Sequence, residues 1–154
     1  MEKITTCLWF KSEAEEAAGF YTSVFDDSEV RHVARQGNGE VLTVDFTLGG
    51  RSILALNGSR GAEFSEAFSL VVHCESQDEL DRYWDALVAD GGQESMCGWL
   101  KDRFGLSWQI VPTVLGSLIG GPDPEGAQRA VQAMLGMRKL DIATLQKAYD
   151  GGEN

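Results

Sequence analysis

Histidine, cysteine and positive charge are all in short supply in this chain, and each shortage removes a class of function. The 154 residues hold two histidines, His32 and His73, and three cysteines, Cys7, Cys74 and Cys97. An odd cysteine count with no Cys-x-x-Cys spacing makes no disulfide framework, so the thiols are expected to be reduced. Lysine and arginine number 13 against 24 aspartates and glutamates, for a formal net charge of -11. Nucleic acid and anionic membranes are held by clustered Lys and Arg, so neither is expected as a partner. No apolar run approaches the roughly 18 residues of a membrane-spanning helix. The opening MEKITTCLWF has neither the basic start nor the long apolar stretch of a secretory leader. The expectation is a soluble, cytoplasmic protein.

What is present is an ordinary globular composition, 43% hydrophobic and 24% charged, in a length that suits a single domain, 1–154. The pattern is organised around residues 97–112, CGWLKDRFGLSWQIVP, which read as a strand, a tight turn at Asp102-Arg103-Phe104-Gly105, and a second strand. An earlier hairpin, residues 41–57, turns at Gly49-Gly50. Each hairpin follows a strand–helix unit, so one module is written twice.

In the first module, residues 4–10 form a β-branched and aromatic strand. Ser12 and Glu15 have the spacing of a capping box, and Ala14, Ala17, Ala18, Tyr21 and Phe25 mark one stripe of a helix. A short strand at 29–34, which carries His32, and a turn at Gln36-Gly37-Asn38-Gly39 lead into the hairpin. Residues 57–66 are a polar linker. The second module opens with a strand at 68–74, and Ser76 with Glu79 repeats the cap. Leu80, Tyr83, Trp84, Leu87 and Val88 then form an amphipathic helix that stops at Gly91-Gly92. The result is an α+β fold of two paired βαβββ modules, 1–58 and 67–112, the second shortened between helix and hairpin. Such a module cannot bury both faces of its sheet alone, so two must pair.

A helical tail, 113–150, follows. It comprises a short helix at 113–119 and a helix opened by Asp123-Pro124, with Ala127, Val131, Met134 and Leu135 on its apolar face. A last helix from Asp141 puts Ile142, Leu145 and Tyr149 on one side. Met134 and Met137 read as packing residues.

The segments LWFKSEAEEAAGFYTSVF, VDFTLGGRSILALNG, CGWLKDRFGLSWQIVP and PDPEGAQRAVQAML together resemble the PhnB-like branch of the vicinal oxygen chelate superfamily, which includes glyoxalase I, bleomycin-resistance proteins and extradiol dioxygenases. The resemblance spans nearly the whole chain. It implies paired modules whose sheets curl around a cavity, assembled as a homodimer. Many sequences of this branch carry the label 3-demethylubiquinone-9 3-methyltransferase. The residues give that label no support: no Gly-rich loop follows a first parallel strand in the manner that cradles a nucleotide-like cofactor.

The resemblance also implies a divalent metal held by His and Glu from the first and last strands of each module. Gln109 falls where the last-strand Glu of the second module would stand, and an amide oxygen is a weaker ligand than a carboxylate. The matching positions near Leu8-Trp9-Phe10, Leu54-Ala55-Leu56 and residues 68–70 offer no His or Glu. The expected state is metal-free, with no cofactor. Asp45 alternates with the apolar Val44 and Phe46 and shares a face with Thr43 and Thr47. If the sheet curls as the resemblance implies, Thr43, Asp45 and Gln109 line a cavity with Trp9 or Trp99. Asp45 is then either a general base or an exposed charge at a dimer seam. Cys97 is either a nucleophile, given a cation to lower its pKa, or a small buried residue.

Three readings follow. The preferred one is a small-molecule-binding protein with an aromatic-lined, metal-free cavity. The alternatives are a metal-dependent lyase, isomerase or dioxygenase with Gln109 as a ligand, and a methyltransferase.

Overall fold

The computed structural model describes residues 2–152. The chain forms two compact units, Met1–Glu63 and Phe64–Asn154. The first runs β1 (Thr6–Phe10), α1 (Ala14–Val24), β2 (Glu29–Arg35), β3 (Val41–Leu48) and β4 (Arg51–Asn57). Its sheet order is β1-β4-β3-β2, with β1 parallel to β4 and the other pairs antiparallel. The second repeats the plan with β5 (Ser69–Cys74), α2 (Gln77–Val88), β6 (Gln93–Glu94), β7 (Trp99–Lys101) and β8 (Ser107–Pro112) in the order β5-β8-β7-β6. Three helices end it: α3 (Val114–Ile119), α4 (Pro124–Leu135) and α5 (Ile142–Asp150). This is the expected α+β architecture of two βαβββ modules with a helical tail.

Strand alternation decides which face each helix covers. Leu8, Phe10, Val44, Phe46, Ile53 and Ala55 are buried, together with Ala14, Ala17, Ala18 and Tyr21 of α1. Alanine on the helix lets α1 lie close to the strands, and the Tyr21 and Phe46 rings meet at 6.4 Å between centroids. In the second unit Leu100, Trp108 and Ile110 are buried with Leu80, Trp84 and Leu87 of α2. Cys74 lies in this core. Burial, and then the nearby Glu79 carboxylate, push its thiol up to about 11, which makes it inert.

Several local expectations need correction. The first strand begins at Thr6 rather than at residue 4: Ile4 is 87% exposed, with no core beneath it. Phe68 likewise stands outside β5, because its neighbour β8 starts only at Ser107, opposite Ser69. No capping box forms at Ser12. The N-cap of α1 is Glu13, with no side-chain cap. Instead the Ala14 N–H donates to Asn57 Oδ1 at 2.9 Å, so the end of β4 caps the helix across the fold. Ser76 does cap α2, its Oγ accepting from the Glu79 N–H at 3.1 Å.

In α4 the buried residues are Gly126 and Ala130, while Leu135 is 51% exposed. A Cβ at Gly126 would meet the Tyr149 carbonyl at 2.8 Å, so the small residues, not the large apolar ones, face α5.

The segment between α4 and α5 is a strap over the second module. Leu140 is fully buried. The Gln77 carboxamide clamps the strap from both sides, Nε2 donating to the Leu140 carbonyl at 3.1 Å and Oε1 accepting from the Ile142 N–H at 2.8 Å. Lys139 pairs with Asp81 at 3.0 Å. The N–H groups of Cys97 and Gly98 donate to the Met137 and Arg138 carbonyls, each at 2.8 Å.

Candidate functional site

Each sheet has one face under its own helix and a second face that alternation turns away from that helix. On the first sheet the register lays this open face out in two rows. Trp9 lies opposite Leu56, Leu56 opposite Thr43, and Thr43 opposite Ala34. In the next row Cys7 lies opposite Leu54, Leu54 opposite Asp45, and Asp45 opposite His32. Trp9 and Thr43 are half-buried, whereas Asp45 and His32 are exposed. Directly opposed residues have Cβ atoms about 4.5–5.5 Å apart, so Asp45 and His32 are cross-strand neighbours, with no ion pair joining their side chains among the described residues.

The sequence pattern places His32 on a short strand and gives it no role. A register shift between Val30 and His32 brings it opposite Asp45; without the extra residue, Arg31 would stand there. Nothing in the local sequence marks that bulge.

On the second sheet Val71, Gln109 and Trp99 form one row, and Ser69, Ser107 and Lys101 the next. The Gln109 Nε2 donates to Ser69 Oγ at 3.0 Å, which orients the carboxamide along the strand pair. Lys101 reaches Glu66 at 3.6 Å. Trp108, by contrast, is core. Its indole N–H donates to Asp102 Oδ2 at 2.8 Å.

The structure thus groups Trp9, Thr43 and Asp45 on one open face and Trp99 and Gln109 on another. Cys97 joins neither row. It sits ahead of β7, which starts at Trp99, with φ at +59° and its N–H engaged by the strap. Cys7 does lie on the first open face, and desolvation raises its thiol above the ordinary value, away from thiolate reactivity.

The metal implied by the superfamily needs three or four converging imidazole or carboxylate donors. On the open faces, the strands that would supply them carry Cys7, Trp9, Leu54, Leu56, Val71, His73, Gln109 and Val111 at the facing positions, so His73 is the one imidazole among them and no carboxylate stands beside it. Among the described residues no group of three or more His, Cys, Asp and Glu could hold an ion. This donor set does not fit a resident metal.

The family model described as 3-demethylubiquinone-9 3-methyltransferase matches residues 2–111, which span β1 to β8 and exclude the helical tail. The PhnB protein from Bacillus cereus is 35% identical, with a TM-score of 0.67 over 73% of this chain and 100% of that one. A protein from Pseudomonas aeruginosa has a TM-score of 0.61 at 18% identity, over 73% of this chain and 98% of that one. The fosfomycin resistance protein FosX from Listeria monocytogenes has 0.52 at 15%, over 73% and 93%. The last two show the fold alone. A comparison with curated proteins gives no match. The chain therefore belongs to the family described as 3-demethylubiquinone-9 3-methyltransferase, the PhnB-like branch of the vicinal oxygen chelate superfamily.

Proposed function

We propose that this protein binds a small organic molecule on its open sheet faces and does so without a metal. One observation carries the reading: a row of Trp9, Leu56 and Thr43 beside a row that ends in Asp45 and His32. A flat aromatic, aliphatic neighbours and a few polar groups at the edge are what an organic ligand needs. The row of Val71, Gln109 and Trp99 offers the same chemistry on the second sheet. The Asp45–His32 pair adds a proton acceptor and donor at neighbouring positions, so a bound molecule with a labile proton could exchange it there.

Methyl transfer, the activity in the family's description, finds less support. The β1–α1 connection is Lys11-Ser12-Glu13, with no glycine to admit a nucleotide-like cofactor to the helix N-terminus. The residues do not fit S-adenosylmethionine at that turn.

We further propose a cytoplasmic homodimer. Its support is the three free thiols and the exposed Phe68 and Met96 of the second unit, apolar surface of the kind that partners cover. Among the described residues no helix is long and apolar enough to cross a membrane.

The deciding experiment is calorimetric titration of chelator-treated protein with divalent ions, followed by a small-molecule thermal-shift screen. The reading expects no tight ion and hits whose shift is lost in Asp45→Asn and Trp99→Ala. A stoichiometric ion weakened by Gln109→Ala would replace it with a metalloenzyme. Saturable S-adenosylmethionine binding would replace it with a methyltransferase.

A further inference from the structure

We propose that the strap between α4 and α5 positions the second open face, with Leu140 and Gln77 as the residues that set Trp99 opposite Gln109. The functional meaning of this coupling rests on the open-face reading, and its structural content does not. The strap lies outside residues 2–111, which the family model matches, so the device belongs to the tail and not to the shared modules.

The strap and the open face meet at one turn, residues 96–99. The Trp99 N–H donates back to the Met96 carbonyl at 3.1 Å, and the two central residues, Cys97 and Gly98, have φ of +59° and +84°. Positive φ at both central positions is the pattern of a type I′ turn. Glycine takes that conformation freely, whereas a side chain such as that of Cys97 takes it at a cost. Such a residue persists where its surroundings hold it. Here the strap holds it, because the Met137 and Arg138 carbonyls accept from the Cys97 and Gly98 N–H groups at 2.8 Å each.

On its other side the same turn is tied to β8. The Ile110 N–H donates to the Gly98 carbonyl at 2.8 Å. Gly98 is wedged in place, since an added Cβ would stand 3.0 Å from both the Ile110 carbonyl and Leu140 Cδ1. The next residue after Gly98 is Trp99 and the one before Ile110 is Gln109, and these two stand opposite each other on the open face. β7 is only three residues long, so its register has little to rest on besides this junction. Leu140, fully buried, seats the strap against the turn, and the Gln77 carboxamide clamps the strap to α2. Arg138 adds a contact to Glu94 of β6 at 3.9 Å. Unseating the strap removes both acceptors from the turn, lets Cys97 leave its left-handed conformation, and frees Trp99 from its place opposite Gln109. The coupling runs both ways: a molecule held by Trp99 and Gln109 favours the docked strap as much as the docked strap favours that molecule.

The test is a ¹H–¹⁵N spectrum of the full chain, read at the Trp99 indole and the Gln109 side-chain amide. Trp99→Phe and Gln109→Ala assign these signals, and Trp9→Phe assigns the Trp9 indole as the control on the other sheet. Leu140→Ala and Gln77→Ala should each shift both second-face signals and leave Trp9 in place. The Trp99 backbone amide should exchange about tenfold faster or more, the factor that goes with losing one or two hydrogen bonds. Leu140→Met, which nearly conserves volume, should leave both signals close to their original positions. Where Leu140→Ala does not fold, Gln77→Ala, at a half-buried position, carries the test. Loss of protection at Cys97 and Gly98 with Trp99 and Gln109 unmoved would overturn the proposal, because the strap would then be structural only. An equal shift at Trp9 would overturn it as well, as general loosening of the chain. No ligand enters this experiment, so its failure leaves the open-face reading standing, and a ligand screen without hits leaves the coupling standing.

Discussion

The two modules share an element order and solve the same local problems by different means. The first hairpin turns on two glycines, Gly49 and Gly50, at φ +56° and +80°, the backbone of a two-residue turn that matches strand twist. The second turns on a carboxylate. Asp102 is 3% exposed; its Oδ1 accepts from the Phe104 and Leu106 N–H groups at 2.9 and 3.1 Å, and its Oδ2 from the Trp108 indole. Helix entry differs as well. Asn57, at the far end of the module, caps α1, whereas Ser76 caps α2 from the adjacent position. The first module is closed by its own backbone. The second, with β6 only two residues long, leans on side chains and on a strap from the tail.

The largest effect expected from that contrast is at the two turns. Asp102→Ala leaves three donors without this acceptor, two of them, the Leu106 N–H and the Trp108 indole, in buried bonds. At a minimum of about 1 kcal/mol each, the loss is about 3 kcal/mol or more. Gly50→Ala strains a left-handed position for about 1–2 kcal/mol, and its Cβ would press Asp27 Oδ2 at 2.7 Å, an atom at the end of a side chain. Urea unfolding of the two variants should rank them in that order. Equal losses would mean the carboxylate is no more than a turn residue.

The strap comes next. Gln77→Ala removes the clamp on Leu140 and Ile142 and is expected to cost about 1–2 kcal/mol. Hydrogen exchange gives the sharper reading. The Cys97 and Gly98 amides, which the strap engages, should lose protection while amides of β3 and β4 keep theirs. Uniform loss would show that the two units unfold as one.

What was legible beforehand follows the same divide. Alternation in β3 marked Val44 and Phe46 as core and Thr43 and Asp45 as the opposite face, because strand period is a local property. The Gly49-Gly50 turn and the Asp123-Pro124 helix start were legible for that reason too. Three things were not. Ser12 has the spacing of a cap and does not cap, because Asn57, 43 residues away along the chain, reaches Ala14 first. His32 meets Asp45 only through a bulge. Asp102 read as one of four turn residues, and nothing in DRFG signals that its carboxylate would be buried under Trp108. Each is a tertiary partner choice, which local spacing does not encode. For the open faces, residue types were legible and grouping was not: Cys97 shares a segment with Trp99 but not its row.

The caps make a smaller contrast. Asn57→Ala loses the bond to the Ala14 N–H and also the one its Nδ2 donates to the Val41 carbonyl at 3.1 Å, so it should cost about 1–2 kcal/mol. Ser76→Ala should cost about 1 kcal/mol, the usual value of a lone N-cap. Thermal unfolding of both variants orders them, and a reversed order would mean that the Asn57 bridge contributes less than an ordinary local cap.

The smallest effect is acid sensitivity confined to the second unit. The Gln77 side-chain bond, and then Lys139, hold the Asp81 carboxyl below the ordinary carboxylate value. A carboxyl whose pKa is lower in the folded state contributes stability above its unfolded pKa and loses it as pH falls through the folded value. Asp81 is partly exposed, so solvent screens the effect and it should be slight. It has a specific address, however, because the Gln77 amide that donates to Asp81 also donates to the Leu140 carbonyl. Protonating Asp81 loosens the strap through that shared group. Protection factors at Cys97 and Gly98 should therefore decline as pH drops from about 5 to about 2, and Asp81→Asn should start lower and show less of that decline. If β3 and β4 lose protection over the same interval to the same degree, acid is acting on the whole chain's many carboxylates, and the strap is not what sets the two modules apart.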